Sequence, residues 1–234
     1  MSLLPIPLFH GTSSLFLDDI IRLGLGGLNP VIEWRILEFA QTIFPLVEQH
    51  LSQEERLIVK VGEFKLMVEQ RSVAMNFQHG DTYLSPSSAT AVRYAVNKRV
   101  SSELLSYTLD FLQELLRRKV SGLAKDLYRR YPRIFNLLNV SAAPLLIEVT
   151  SMNAEDLAAE DGRDSGPILT EIDETLREYT DYEDVLQQCN FRLRRPVPAD
   201  ALKIWLINVT HWHPYRSEYT LYELPAKEGR RAGA

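Results

Sequence analysis

Near the start of the chain the stretch LFHGTSS (8–14) sets His10, Gly11 and Thr12 side by side. An imidazole can accept or donate a hydrogen bond near neutral pH. Glycine lets a ligand approach the backbone closely, and a hydroxyl can orient the neighbouring histidine. Together the three residue types suit the holding of a sugar hydroxyl and an amide. Farther along, Tyr83 stands in GDTYLS, and Tyr94 follows 11 residues later. Two rings on a strand, turn and helix can sandwich a flat heterocycle, with offset stacking worth about 0.5–1.5 kcal/mol beyond burial. Taken singly, His10, Tyr83 and Tyr94 also fit as ordinary satisfied core or rim residues.

Other patterns carry less. His211-x-His213 would share one face of a strand, as a metal site needs, but no third ligand lies nearby and Trp212 with Pro214 marks a turn. The acidic run 155–164 lacks calcium-loop spacing and is expected to be a solvated loop. The chain has no GxxxxGK[ST], no GxSxG and no HExxH. The glycines of GLGG (24–27) follow a helix instead of joining a strand to a helix, which excludes a dinucleotide fingerprint. One cysteine, Cys189, allows no internal disulfide and no cysteine-based zinc site.

The elements that must position these residues alternate between two textures. A strand is expected at 6–11, then a helix from Ser13 or Ser14 to Leu23, ended by Gly24 in a left-handed conformation. Asn29-Pro30 is an N-cap followed by proline at the first helical position, opening a helix in which Pro45 makes a kink or break. Ser52 to Glu55 has the form of a capping box and predicts a third helix through VKVGEFKLMVEQ. Gly80-Asp81 reads as a turn, TYLS as a short strand, and Ser88 as the start of a helix. Leu104, Leu105, Leu109, Leu112, Leu115 and Leu116 form a core-facing stripe within a helical block at 100–139. From 144 the strands PLLIEVTS, NFRLRRPV, LKIWLINV and SEYTLYEL surround one helix, ILTEIDETLREY. The pattern predicts one α+β domain over 1–226, with helical inserts or lids at about 29–75 and 100–139. The tail 227–234 is expected to be disordered.

The order strand, HGT, helix, helical insert, then G-x-x-Y-L-[ST]-x-x-x-x-A-x-x-Y-A resembles the ADP-ribosyltransferase superfamily. It is most similar to the diphtheria-toxin and poly-ADP-ribose polymerase branch, known by its His-Tyr-Glu triad. The resemblance covers the core strands at both ends of the chain and leaves the helical blocks unassigned. It implies a split β core and NAD as substrate, with the nicotinamide–ribose bond cleaved and ADP-ribose passed to an acceptor. His10 then corresponds to the histidine that binds a ribose hydroxyl, Gly11 to the backbone that holds the nicotinamide amide, and Thr12 lies beside them. Tyr83 and Tyr94 correspond to the stacking tyrosines. The layout of QQCNFRLRRPVPADALKIWLI places Asn190 at the family's catalytic glutamate, with Gln188 two residues earlier on the same face. An amide positions a ribose but supplies no charge for a cationic transition state. Three readings stay open at this position: a slower or mono-transferring enzyme, a carboxylate supplied from elsewhere, or an inactive relative that binds NAD or another nucleotide as an interaction module. Glu183, Asp184 and Glu148 are carboxylates within the neighbouring segments, and none matches the motif.

Composition limits the partners. A net charge of -5 argues against bulk nucleic-acid affinity, so a protein acceptor is expected ahead of a nucleic acid. RLRRP (192–196) and Arg129-Arg130 are the local basic candidates, read as solvated faces. The N-terminus lacks a basic segment and is broken by Pro5 and Pro7, so it is not a signal peptide. No membrane span and no metal are expected, and the single cysteine fits a soluble, cytoplasmic protein.

Overall fold

The computed structural model describes residues 5–71, 80–98, 100, 102–120, 123, 125–160, 162–178, 186, 189–214 and 216–225. The chain is α+β. It divides into two compact units, each assembled from separated stretches of sequence.

The first unit takes residues 1–28, 81–101 and 142–234. It holds β1 (Leu8–Ser13), β3 (Pro144–Val149), β6 (Leu202–His211) and β7 (Glu218–Glu223), paired antiparallel in the order β1-β3-β6-β7. A second, three-stranded sheet has the order β2-β5-β4, from β2 (Tyr83–Leu84), β4 (Leu157–Ala159) and β5 (Phe191–Leu193). Among the described residues the bridge between β1 and β2 is Phe9 with Ser85, whose backbones exchange two hydrogen bonds of 2.8 Å.

Helix α5 (Ser88–Asn97) lies on β1. Ser87 caps it, its side chain accepting from the Thr90 N–H, and Ala91, Val92 and Ala95 bury against Leu146 and Ile207. Small residues at that spacing bring helix and strand backbones close together. Helix α1 (Leu17–Leu23) ends at Gly24, which has φ 84° and bonds back to the Ile20 carbonyl.

The second unit takes residues 29–80 and 102–141, so the two expected helical inserts gather into one body. It contains α2 (Pro30–Glu33), α3 (Ile36–Leu51), α4 (Ile58–Val68), α6 (Glu103–Arg117), α7 (Lys125–Arg130) and α8 (Pro132–Leu137). Ile36, Phe39, Ala40, Ile43, Val47 and Leu51 form the buried stripe of α3, meeting the leucine stripe of α6. Phe64 is fully buried between Phe44, Tyr107 and Phe111, at ring-centre distances of 5.9, 6.4 and 4.9 Å.

Several local expectations are corrected. Asn29 does cap α2, but the break falls at Arg35, with φ 54°, and α3 runs through Pro45 without interruption. The continuous apolar face of α3 holds the helix although proline removes one internal hydrogen bond. Ser52 is the C-cap of α3 and caps no following helix; α4 begins only at Ile58. The Glu54 side chain is instead paired with Arg56 and Arg118. Leu116 belongs to the exposed side of α6 at 40% exposure, away from the stripe. The acidic segment is no plain solvated loop: Leu157, Ala158 and Ala159 form β4, all buried. Helix α9 (Ser165–Glu178) starts three residues before Ile168, with the buried Ser165 hydroxyl donating to the Ala154 carbonyl. Glu183, Asp184, Gln188 and the tail 227–234 lie outside the described residues.

Candidate functional site

The two sheets part beside β1, and His10 sits at that parting. Its Nδ1 lies 2.8 Å from the Tyr83 carbonyl oxygen. A carbonyl only accepts, so Nδ1 donates, and the neutral ring keeps a lone pair on Nε2. Burial pushes the imidazole below its ordinary value of 6.5, and the bond to Tyr83 opposes this only in part. His10 is therefore neutral at neutral pH, with Nε2 an acceptor that has no hydrogen-bond partner among the described residues. The group that orients the ring is the Tyr83 carbonyl. The Thr12 hydroxyl, expected in that role, is buried along β1 and makes no bond to the ring.

Gly11 is required for packing. A Cβ built there would lie 1.9 Å from the Ala91 carbonyl oxygen and 3.1 Å from the Ala95 nitrogen. The absent side chain is thus filled by α5 on one face of β1. Its backbone polar groups point elsewhere. Phe9 spends its N–H and C=O on Ser85, so alternation turns those of His10 toward β3 and those of Gly11 back toward the parting.

The three-stranded sheet presents its residues by the same alternation. Leu84, Phe191, Leu157 and Ala159 bury one face. Tyr83 pairs with Arg192, and Arg192 with Ala158. Two residues along each strand, the next row of that face carries Ser85, Asn190 and Glu160. Continued to Phe9, this row runs from β1 to the end of β4. Asn190 accepts at its carbonyl from the Glu160 N–H at 3.2 Å, and its Nδ2 donates to Glu160 Oε2 at 3.3 Å. Arg192 forms a 3.2 Å ion pair with Asp81, both half-exposed and so weakly bound in water.

His10, Gly11, Tyr83 and Asn190 are thus linked along three strands and the Phe9–Ser85 bridge, but the same alternation turns the His10 side chain to the face of Leu84 and Phe191, away from the side chains of Tyr83 and Asn190. Tyr83 is half-buried on β2. Tyr94 is 37% exposed on α5, between the two alanines that pack on Gly11. Glu160 was invisible in the sequence because it follows a three-residue strand inside a charged run. The signal for it was the apolar triplet Leu-Ala-Ala, whose pairing with β5 no local pattern reveals. His211 and His213 are exposed at the β6–β7 turn. Among the described residues no group of three or more His, Cys, Asp or Glu side chains could hold a metal ion. Nor is any described helix long and apolar enough to cross a membrane.

Comparison of the chain with protein-family models, curated proteins and solved structures finds no match in any of the three.

Proposed function

We propose that the site at the parting of β1 and β2 binds NAD and cleaves its nicotinamide–ribose bond, transferring ADP-ribose to an acceptor. The observation that carries this reading is the 2.8 Å bond from His10 Nδ1 to the Tyr83 carbonyl. It fixes one tautomer and leaves Nε2 to accept from a ribose hydroxyl. The strand parity of Gly11 supports a second contact, since its N–H and C=O suit the two ends of a carboxamide. Tyr83 and Tyr94 supply aromatic surface for the nicotinamide.

The fold class alone argues no function. The test is direct: incubate the full chain with NAD, and measure saturable binding and nicotinamide release for the wild type and for His10→Ala. Binding and release that both fall in His10→Ala support the reading. Absence of saturable NAD binding to the wild type overturns it.

A second reading is favoured by one residue. By its resemblance to the ADP-ribosyltransferases, Asn190 corresponds to the carboxylate that would stabilise a cationic transition state, and an amide brings no charge. On this reading the chain binds NAD without turning it over. Binding without release would select it, and release gained on Asn190→Glu would show that charge alone was missing.

A further inference from the structure

We propose that β7 is a pairing edge on which a second copy of this chain docks, strand against antiparallel strand, about a two-fold axis at Leu221. The surface stands apart from the NAD reading, at the opposite edge of the sheet that carries His10.

β7 ends the order β1-β3-β6-β7, so one of its sides meets β6 and the other meets no strand among the described residues. A 2.8 Å bond from the Leu224 N–H to the Ile204 carbonyl sets the phase of the β6–β7 ladder. By alternation Thr220 and Tyr222 turn their N–H and C=O toward β6, while Leu221 and Glu223 turn theirs outward. Among the described residues neither Leu221 nor Glu223 has a backbone partner on that outer side. The other edge is closed differently: Phe9 of β1 is tied to Ser85, and α5 packs on that strand.

The side chains of β7 are open as well. All six are exposed, with Tyr219, Leu221 and Tyr222 at 37, 41 and 55%. Leu221 pairs with Ile207 and so shares the face on which Ile207 is buried by α5. Edge strands are commonly guarded by lysine or proline. The strand EYTLYE contains neither.

The charges name the occupant. A strand with a glutamate at each end would repel an antiparallel copy if those ends met. Outward groups pair only with outward groups, however, so odd residues meet odd and even meet even. Glu218 of one copy therefore never lies across from Glu223 of the other. With the axis at Leu221, Leu221 meets its own counterpart, Tyr219 meets Glu223, and Thr220 meets Tyr222. Apolar and aromatic groups then oppose one another at the centre, and no like charges are paired.

The experiment measures the mass of the full chain by sedimentation over a concentration series, with deuterium exchange read at single amides. The mass is expected to approach two chains as concentration rises. Leu221→Lys should stay at one chain with unchanged circular dichroism and melting temperature. In the wild type the Leu221 and Glu223 amides should slow about tenfold on dimerisation, while those of Thr220 and Tyr222 are slow throughout. A wild type that remains one chain overturns the proposal. Slow Leu221 and Glu223 amides in such a monomer would mean that a segment of the same chain occupies the edge. A dimer that leaves these two amides fast, or that survives Leu221→Lys, uses another surface and overturns it too. Should Leu221→Lys not fold, the wild-type exchange decides alone.

Discussion

The imidazole of His10 and the main chain of Tyr83, 73 residues apart in sequence, are joined by a single hydrogen bond of 2.8 Å. Because the bond uses a backbone carbonyl, it survives any change of the Tyr83 side chain. The ring is set by where β2 runs, so the two halves of the site can be perturbed separately. Tyr83→Ala removes aromatic surface and leaves the His10 tautomer in place. His10→Ala removes the Nε2 acceptor and leaves the ring of Tyr83.

The same histidine makes stability depend on pH. Its folded value lies below the ordinary 6.5, chiefly through burial. The unfolded chain therefore binds the proton more readily, and this contribution is present above 6.5 and lost as pH falls toward the folded value. Thermal melts of the wild type should lose stability as pH falls below about 6.5. His10→Gln should flatten that part of the curve. Equal slopes for the two proteins would place the pH dependence elsewhere.

Gly11→Ala should destabilise the fold by about 1–3 kcal/mol, the usual cost of forcing extra atoms into a packed contact. The obstructing atoms are helix backbone, with the Ala91 oxygen 1.9 Å from the new Cβ, so no side-chain rotation relieves the clash. A shifted denaturation midpoint would show this without any NAD present. An unshifted midpoint would mean that α5 moves away freely.

In the helical unit, Glu38 accepts hydrogen bonds from Arg35 at 2.6 Å, Tyr131 at 2.8 Å and Arg130 at 2.5 Å. Arg35 first, then Tyr131, holds its carboxyl well below the ordinary 4.5, at about 2. The stability this lends is complete above about 4.5 and declines as pH falls toward 2. Carbon NMR of the side chain should show that low midpoint, and Arg35→Gln should move it upward.

Phe64→Ala should cost about 3–5 kcal/mol, since the ring is fully buried among Phe44, Tyr107 and Phe111. Urea denaturation followed by the helical signal measures this. A loss below about 1 kcal/mol would mean that the neighbouring rings close the gap.

Long elements were legible in the sequence because their periodicity is long. The stripe of α6 and most of β3, β6 and β7 lie where the pattern puts them. The second sheet was harder. Its strands are two or three residues each, too short to show alternation, and they are defined only by pairing across long stretches of chain. The glycine illustrates a related difficulty: Gly11 stood out as a residue open to a ligand, whereas its missing side chain is spent on Ala91. Arg35, not Pro45, breaks the second helix, since left-handed backbone at an arginine leaves no trace in composition. The sequence reading starts the strand NFRLRRPV at Asn190, whereas β5 covers only Phe191–Leu193, and the contact of Asn190 with Glu160 depends on a register that only the folded sheet supplies.

The division of the chain has a consequence for the order in which it is made. β1 is synthesised first, yet its partner β3 follows only at Pro144–Val149, after the helical unit has received its last residue, 141. On a ribosome the helices can therefore close while the His10 strand still waits unpaired, a bare edge open to wrong partners. The row from Phe9 to Glu160 comes together after that, when β5 has emerged. Slowing translation between residues 141 and 191 should lengthen that exposed interval and raise aggregation without altering any contact of the finished protein.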